Sequence, residues 1–424
     1  MDPFRLGALD SAFLALGQHH DAGAAETGIL VLMTGTPPPL AELTEHIRHR
    51  AEHIPALHLR PDRTGPALTR PRWRYDSTLD ITRHVHEYPR RHKTQTIADL
   101  AAHVMSRPRD TLNTPLWSLE LLHGTPHPGE PDFALLFKHH HAAFDGRGAI
   151  AILRQLLGPD TRAPQPDPPV TMRHSPLKSG VQALRGAASL GTDLTHRAPH
   201  VPALRSSTAW PCHITWVHTP LDDLRDAART SHTTVNDVYL ATLALTLAGH
   251  LDALGQPRPP AIVATVPMAM PRSDDHLGIG NSIAPARIPL PTGTDHPREK
   301  LRQVHKAVRQ AKTPHRQHGS KLVLRACQIL PPQWTHRLLT APMRSRFTNL
   351  VASNLGTTQG LLACPGGTAL ALMPLVLRPL GGGLSSGIAT YETTATVSFI
   401  TSHHSDPHRL LPARYQQALR ALLS

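Results

Sequence analysis

The chain has only three cysteines among its 424 residues, and Cys212, Cys327 and Cys364 stand far apart. Three thiols cannot all pair within one chain, and no CxxC pair is present. The pattern therefore argues against a disulfide framework and against a thiolate zinc site. Such cysteine usage fits a reducing cytoplasm.

Long apolar runs and targeting signals are also missing. No stretch approaches the roughly eighteen consecutive apolar residues that cross a bilayer. The first five residues lack the basic segment and apolar core that mark a signal peptide. We therefore expect a cytoplasmic protein, and peripheral contact with a membrane stays open.

Three sequence signatures of other enzyme classes do not occur. No GxSxG elbow is present, so a serine-hydrolase interpretation lacks its nucleophile. The glycines at 381–383 are followed by neither the lysine nor the helix of a phosphate-binding loop. No carboxylate stands at a zinc-ligand spacing such as HExxH, and we predict no metal site and no tightly bound cofactor.

Positive charge is abundant, with a formal net charge of +13 before any of the 31 histidines is counted. A basic surface favours anionic partners such as nucleotide phosphates, an acidic carrier protein or anionic lipid. Biased codon composition is an equally good explanation. The basic residues are scattered and have no interleaved aromatics, since aromatics make up only 4% of the chain, so we expect no nucleic-acid partner.

Hydrophobic periodicity indicates an α/β fold with mixed sheets in two similar blocks. We predict an N-terminal lobe at 1–160, a Pro-rich crossover at 161–211 and a C-terminal lobe at 212–424, because a structureless connection this long is uncommon within one domain. The predicted strands are 27–33, 72–75, 81–88, 117–122, 133–137, 214–218, 261–268, 283–290, 350–353, 370–376 and 394–401. The predicted helices are 40–54, 94–105, 147–157, 181–190, 221–230, 235–254, 298–311, 320–330 and 407–423.

The most informative stretch is HHxxxDG, which contains His140, His141, Asp145 and Gly146 and follows the apolar strand at 133–137. Histidine ionises near neutrality, so it can take a proton from a hydroxyl or amine and return it later. Asp145 is placed to cap the following helix, and Gly146 has no side chain to obstruct a ligand. If the strand persists, His139 and His141 share a face, and neighbouring strand residues rarely converge on one ion.

HHxxxDG resembles the active-site signature of the superfamily related to chloramphenicol acetyltransferase. Further segments resemble one of its members, the bacterial wax ester synthase/diacylglycerol acyltransferase family. These segments occur in family order over nearly the whole chain: Leu9-Asp10-Ser11-Ala12-Phe13-Leu14, Pro115-Leu116-Trp117, Val235-Asn236-Asp237-Val238, Val266-Pro267, Gly280-Asn281, Ser353-Asn354, and Pro379 to Leu384 with Tyr391.

The sequence departs from the family pattern at three places. Ser118 follows the PLW motif where an acid is common, and Leu355 begins a turn without the usual glycine–proline pair. The family's early glutamate is not evident at 17–20. These departures suggest substrate pockets that differ from those of a lipid-storage enzyme, and a specialised acyltransferase of secondary metabolism is one alternative.

The resemblance implies two chloramphenicol acetyltransferase-like lobes that form a pseudo-dimer, with the active-site tunnel between them. It implies His141 as the general base, with His140 as the second candidate and Asp145 as a support for the loop. Asn236 and Asp237 are more often a helix cap than a catalytic pair. Candidate supporting residues are Gly146, Asn236, Asp237, Ser353 and Asn354.

The function so predicted is transfer of an acyl group from a thioester, acyl-CoA first, to a hydroxyl acceptor, without a covalent acyl-enzyme. Acyl-CoA or an acyl carrier protein thioester would be the co-substrate, and a small-molecule acceptor the other partner. One alternative is condensation from a carrier-protein thioester onto an amine or alcohol. A second alternative is a pair of lobes that binds an acyl ligand or carrier without catalysis.

Overall fold

The computed structural model describes most of the chain: residues 4–19, 23–62, 69–92, 94–111, 113–124, 131–159, 185–189, 191, 195–206, 212–270, 278–402 and 406–424. Most of the predicted crossover at 161–211 lies outside these residues. Of the helix predicted there at 181–190, residues 185–189 are described, and they are helical.

Helices and strands alternate along both halves of the chain. The helices are α1 (Ala8–His19), α2 (Leu40–Ala51), α3 (Ile97–Ser106), α4 (Gly146–Leu157), α5 (Leu221–Thr230), α6 (Val235–Ala253), α7 (Pro297–Ala311), α8 (Pro314–Cys327), α9 (Pro332–Thr340), α10 (Asp406–Arg409) and α11 (Leu411–Leu423). The strands are β1 (Phe4–Arg5), β2 (Glu26–Gly35), β3 (Leu59–Asp62), β4 (Arg72–Tyr75), β5 (Val85–Tyr88), β6 (Trp117–His123), β7 (Phe133–His140), β8 (His213–Pro220), β9 (Ala261–Ala269), β10 (Ile283–Pro291), β11 (Leu350–Thr358), β12 (Ala363–Cys364), β13 (Gly367–Leu375), β14 (Leu384–Tyr391) and β15 (Thr394–Thr401).

Two six-stranded mixed sheets and one small sheet organise these strands. The first large sheet has the order β12-β13-β2-β7-β6-β5, and the second has the order β10-β9-β11-β14-β15-β8. The small sheet has the order β1-β4-β3. The α/β fold with mixed sheets is therefore confirmed.

Both faces of the first sheet are covered, as the composition of β2 requires. Ile29, Val31 and Met33 pack into one hydrophobic core, while the alternate residues Leu30 and Leu32 pack into another. Successive side chains of a strand point to opposite faces, so a continuous apolar run is typical of a strand buried on both sides.

Two strands of the first sheet, β12 and β13, come from the C-terminal half of the chain. β13 pairs antiparallel with β2 from Gly367 opposite Gly35 to Leu375 opposite Gly28. The strands before and after this pair, β11 and β14, pair with each other in the second sheet. The two sheets are thus tied together by a chain that crosses from one to the other and returns.

Several predicted boundaries are wrong for local reasons. The strand predicted at 81–88 begins only at Val85, because the Asp80 carboxylate accepts a hydrogen bond from Thr82 N and caps a short 3-10 turn. The helix predicted at 320–330 begins six residues earlier, where Pro314 occupies its first turn. The closing helix predicted at 407–423 is two helices, α10 and α11, and helices α1 and α9 were not predicted.

Candidate active site

The HHxxxDG segment follows the central strand of the first sheet. β7 runs antiparallel to both of its neighbours. Its pairing with β2 reaches His140, and its pairing with β6 reaches His139. His141 is the first residue beyond the strand, and its backbone N–H donates to Ala25 O over 2.8 Å. The main chain of His141, the candidate base, is therefore held by a hydrogen bond to the residue that precedes β2.

The three consecutive histidines point in different directions. His139 and His141 line a cavity between the two large sheets, as the strand alternation predicts. His140 faces away from it towards α1, where a Cβ on Gly17 would lie 2.7 Å from His140 Nε2. Burial lowers the pKa of His140 to about 4 and the pKa of His139 to about 3.

The His141 imidazole is stacked on an aromatic ring and lines the cavity. Its centroid lies 4.3 Å from that of Phe13 on α1, with the planes inclined by 25°. Burial lowers the pKa of His141 below its usual value, although a hydrogen bond to its own backbone, the Asp145 carboxylate and the Asn281 side chain act in the opposite direction. The ring is therefore uncharged at neutral pH and able to accept a proton.

Asp145 caps α4, which confirms that prediction, and it also reaches the second lobe. Its Oδ1 accepts a hydrogen bond from Gly148 N over 2.8 Å, and its Oδ2 accepts one from Ser282 N over 2.9 Å. Gly146 lines the cavity, and a Cβ there would lie 3.1 Å from Leu355 Cγ. Asp145 thus holds the HHxxxDG loop in place, while Gly146 leaves space for a ligand in the cavity beside the loop.

Residues 280–282 attach the HHxxxDG loop to the second lobe. Gly280 N donates to Ala143 O over 2.6 Å, and Asn281 Nδ2 donates to His141 O over 2.7 Å. Gly280 has a φ of +84°, which favours glycine. Together with the bond from Ser282 N to Asp145, these contacts fix the loop between the lobes.

Asp10 on α1 is the buried centre of the same arrangement. Its Oδ1 accepts hydrogen bonds from Asn281 N (2.9 Å) and Asn281 Nδ2 (2.8 Å), and its Oδ2 accepts one from Gly7 N (3.1 Å). Burial raises the pKa of Asp10 to about 6, against the effect of these donors. Asp10 therefore remains ionised at neutral pH and orients the amide that holds His141.

A buried group of charges lies behind His140. Arg109 Nε donates to both carboxylate oxygens of Glu26, over 3.2 and 3.3 Å, and Arg109 Nη2 donates to Ser118 Oγ and Lys138 O. Ser118 Oγ in turn donates to Glu120 Oε1 over 2.6 Å. Burial alone would raise the pKa of Glu26, but the neighbouring cations outweigh it and lower that pKa to about 2.

The cavity at His141 is mostly apolar and encloses about 760 Å³, part of which is open to solvent. Its lining comes from α1, α4, α9, β2, β7, β9, β10, β11 and β13 and from the turn after α9, so both lobes contribute. The apolar lining residues include Leu9, Phe13, Ile29, Ile283, Leu339, Met343, Val351, Leu355, Leu375 and Leu377. Such a lining suits a hydrocarbon chain.

The remaining predicted site residues lie at two places. Ser353 lines the cavity, and exposed Asn354 donates from Nδ2 to Asn236 Oδ1 over 3.3 Å, so the two motifs meet. Asp237 is buried; its Oδ2 accepts from Thr234 N and Oγ1 in a capping box and lies 2.8 Å from His305 Nδ1. Asp237 therefore has the geometry of a structural cap.

Asp10, Phe13 and Asn281 are not among the predicted site residues, although they belong to the motifs that carry the family resemblance. The sequence contains a signal for each, since Asp10 lies in the opening LD motif and Asn281 in the GN motif. Their contacts are long-range: 271 residues separate Asp10 from Asn281, and 140 residues separate Asn281 from His141.

Comparison with known proteins agrees with this geometry. The sequence matches the wax ester synthase/diacylglycerol acyltransferase catalytic domain over residues 6–210 and the WS/DGAT C-terminal domain over residues 279–422. The chain belongs to the wax ester synthase/diacylglycerol acyltransferase family. As a member of this family it is an acyltransferase.

Relatives and solved structures resemble the chain over most of its length. The "Probable diacyglycerol O-acyltransferase tgs1" of Mycobacterium tuberculosis strain H37Rv is 26% identical over 91% of this chain and 87% of its own. The wax ester synthase/diacylglycerol acyltransferase of Marinobacter aquaeolei VT8 has a TM-score of 0.66 at 19% identity, covering 99% of this chain and 98% of that one. A variant starter condensation domain of rhizomide synthetase RzmA, in complex with C8-CoA and Leu-SNAC, has a TM-score of 0.60 at 15% identity, covering 99% and 94%. The likeness to the condensation domain concerns the fold alone.

Within the ranges described above, no helix has both the length and the apolar character needed to cross a bilayer. In the same part of the chain, no group of three or more His, Cys, Asp or Glu side chains is arranged to hold a metal ion.

Proposed function

We propose that this protein esterifies a hydroxyl acceptor with the acyl group of acyl-CoA, and that His141 is the general base. The observation that carries the proposal is the His141 ring, which burial keeps uncharged at neutral pH and which lines a mostly apolar cavity between the lobes. Acyl-CoA as donor is supported by the family and by the related condensation domain that holds C8-CoA.

His141 suits the role of base better than either neighbour. His139 also lines the cavity, but its Nε2 lies 3.0 Å from the Thr27 hydroxyl and its pKa of about 3 makes it a weak base. His140 does not line the cavity, and its Nδ1 accepts a hydrogen bond from Ala142 N. We assign His140 and Asp145 to the support of the loop.

The chemistry needs one proton to move twice. His141 accepts the hydroxyl proton as the acceptor oxygen attacks the thioester carbonyl carbon. The tetrahedral intermediate then collapses, the carbon–sulfur bond breaks, and the imidazolium returns the proton to the thiolate of coenzyme A. General-base assistance of this kind accelerates a reaction by roughly 10²–10⁴-fold, and holding both substrates in one cavity supplies much of the rest.

The test compares substitutions of the two histidines that line the cavity, His141 and His139. Release of free coenzyme A from a long-chain acyl-CoA is measured with a long-chain alcohol or diacylglycerol as acceptor. We expect His141→Gln to lower kcat by roughly 10²–10⁴-fold, while His139→Gln keeps its bond to Thr27 and most of its activity. Full turnover by His141→Gln would refute the mechanism.

The absence of a covalent intermediate has a separate test. Ser353 and Thr27 present hydroxyls to the cavity, and no cysteine is among its lining residues. Incubation with acyl-CoA without acceptor should leave the intact mass of the protein unchanged. A stable mass increase equal to the acyl group would show an acyl-enzyme instead.

The identity of the donor is decided in the same assay. An acyl carrier protein thioester that reacts where acyl-CoA does not would favour carrier-dependent condensation. Tight binding of the acyl chain without turnover of either thioester would favour a binding protein.

A further inference from the structure

Exposed apolar side chains cluster at the turn between α8 and α9. Ile329 is 88% exposed, Leu330 40%, Trp334 58% and Leu338 42%. They are four of the eight large apolar side chains that lie exposed in the described residues. Single exposed apolar residues are ordinary, whereas four within ten residues, two in the turn and two on α9, are a concentration that marks an interaction surface. We call these four residues the 329–338 patch.

Positive charge surrounds the patch. Between Glu299 and Glu392 the sequence has twelve Lys and Arg residues and no Asp or Glu, so this segment accounts for almost the whole net charge of +13. Lys321 and Arg325 are exposed and one turn apart on α8. The guanidinium carbon of Arg337, on α9, lies 5.8 Å from the centre of the neighbouring indole ring.

The other side of α9 faces the active site. Leu339 lines the cavity, and His336 Nδ1 lies 3.1 Å from Ala12 O of α1. Leu9 and Phe13, on the same α1 helix, line the cavity as well. A surface in contact with the patch would therefore lie about one helix diameter, roughly 10 Å, from the cavity.

We propose that the 329–338 patch docks the protein on a bilayer that contains anionic phospholipid. The apolar side chains would enter the boundary between headgroups and acyl chains, and Trp334 is the residue type that favours this boundary. Lys321, Arg325 and Arg337 would contact the anionic headgroups. The inference concerns binding and does not depend on the proposed chemistry.

The charge distribution favours this occupant over a second copy of the chain. An identical patch would bring the same positive charges face to face, which disfavours self-association. Anionic lipid complements both properties of the patch at once, and it would place apolar substrates close to the cavity.

Co-sedimentation with vesicles tests the proposal directly. We expect the protein to bind vesicles of phosphatidylcholine with phosphatidylglycerol and to bind pure phosphatidylcholine much more weakly. Leu330→Ser with Leu338→Ser should reduce binding by about tenfold or more. Leu410→Ser with Leu423→Ser is the matched control, since these leucines are 50% and 42% exposed elsewhere, and it should bind as wild type does.

The electrostatic contribution has its own readouts. Lys321→Gln with Arg325→Gln should weaken binding by about fivefold for each charge removed. Salt should weaken it too, because the screening length falls from about 10 Å at 0.1 M to about 3 Å at 1 M. Tryptophan emission should shift to the blue on vesicle addition, and Trp334→Phe should abolish most of that shift.

Three results would overturn the proposal. One is equal binding by the patch variant and its control. Another is an emission shift that survives in Trp334→Phe. The third is a patch variant that changes a dimer into a monomer in light scattering while vesicle binding is unaltered, which would assign the patch to a second copy. Because vesicle binding needs no turnover, failure here is distinct from failure of the proposed reaction.

Discussion

Replacement of Arg109 by methionine should destabilise the first lobe by several kcal/mol. Arg109 is largely buried and donates to Glu26, Ser118 and the carbonyl oxygen of Lys138, immediately behind the histidines of the HHxxxDG segment. Methionine keeps an unbranched, flexible apolar stem and removes all of the donors. Glu26 would then be left in the interior with Lys138 3.8 Å away as its nearest cation.

Two independent arguments give the magnitude. Removal of one partner of a buried ion pair typically costs about 3–5 kcal/mol, because the other charge loses its compensation. The pKa of Glu26 is lowered from 4.5 to about 2, which corresponds to about 3 kcal/mol of stability. This stability is present above the unfolded pKa of 4.5 and is lost as the pH falls through 4.5 towards 2. The deficit of Arg109→Met should therefore shrink over that interval.

Urea unfolding followed by circular dichroism, at neutral pH and near pH 3, measures both effects. Arg225→Met is the matched control, because the Arg225–Asp222 pair has a similar distance of 3.3 Å but is exposed on α5. Exposed pairs contribute about 0–1 kcal/mol. A loss of less than about 1 kcal/mol at neutral pH for Arg109→Met, equal to the control, would refute the reasoning. Addition of Glu26→Gln should recover part of the loss, since it removes the unpaired charge.

Three further predictions concern the catalytic loop. Asn281→Ala should lower kcat by about 10–100-fold with little change in the KM for acyl donor, because the loop that carries the base shifts; Asn236→Ala is the control. Gly280→Ala should reduce the free energy of unfolding by more than the roughly 1–2 kcal/mol that a positive φ costs an alanine. The reason is that the new Cβ would also lie 2.9 Å from Asp10 Oδ2. Gly356→Ala, at φ +81° and with open space around the new Cβ, should lose only that amount. The pH profile of kcat/KM should rise through a midpoint below 6.5 and stay level above it, because burial lowers the pKa of His141.

Each of these expectations can fail. Equal kcat for the two asparagine variants would remove the positioning role of Asn281. Equal losses of stability for the two glycine variants in thermal unfolding would show that the carboxylate yields to the new methyl group. A midpoint above 6.5 in the pH profile would mean that another group, or a charged His141, controls the rate.

Local patterns were sufficient to predict the framework that presents the base. The apolar run of β2, the strand β7 and the amphipathic helix α4 all follow from side-chain period, and Asp145 caps α4 because it directly precedes the helix. These features depend on neighbours in sequence, which is why a single sequence contains them.

Features that depend on distant contacts were missed. α1 is buried on nearly all sides between α9 and the cavity, so it has no one-sided apolar period. The Asp10–Asn281 contact joins residues from opposite halves of the chain, and the residue types alone do not indicate the pairing. The sequence predicted a strand at 370–376, which is β13, but did not predict that its partner is β2.

The pairing of β13 with β2 limits how this acyltransferase can admit its substrates. The lobes cannot swing apart about a hinge unless this antiparallel ladder is torn open, which would expose the edge of β2 to self-association. We therefore expect the acyl chain and the acceptor to enter the cavity end-on, through its opening to solvent, while the β13–β2 ladder stays intact. Residues 1–160 expressed alone would leave the same edge bare, so this fragment should aggregate, and we expect the two halves to fold as one unit.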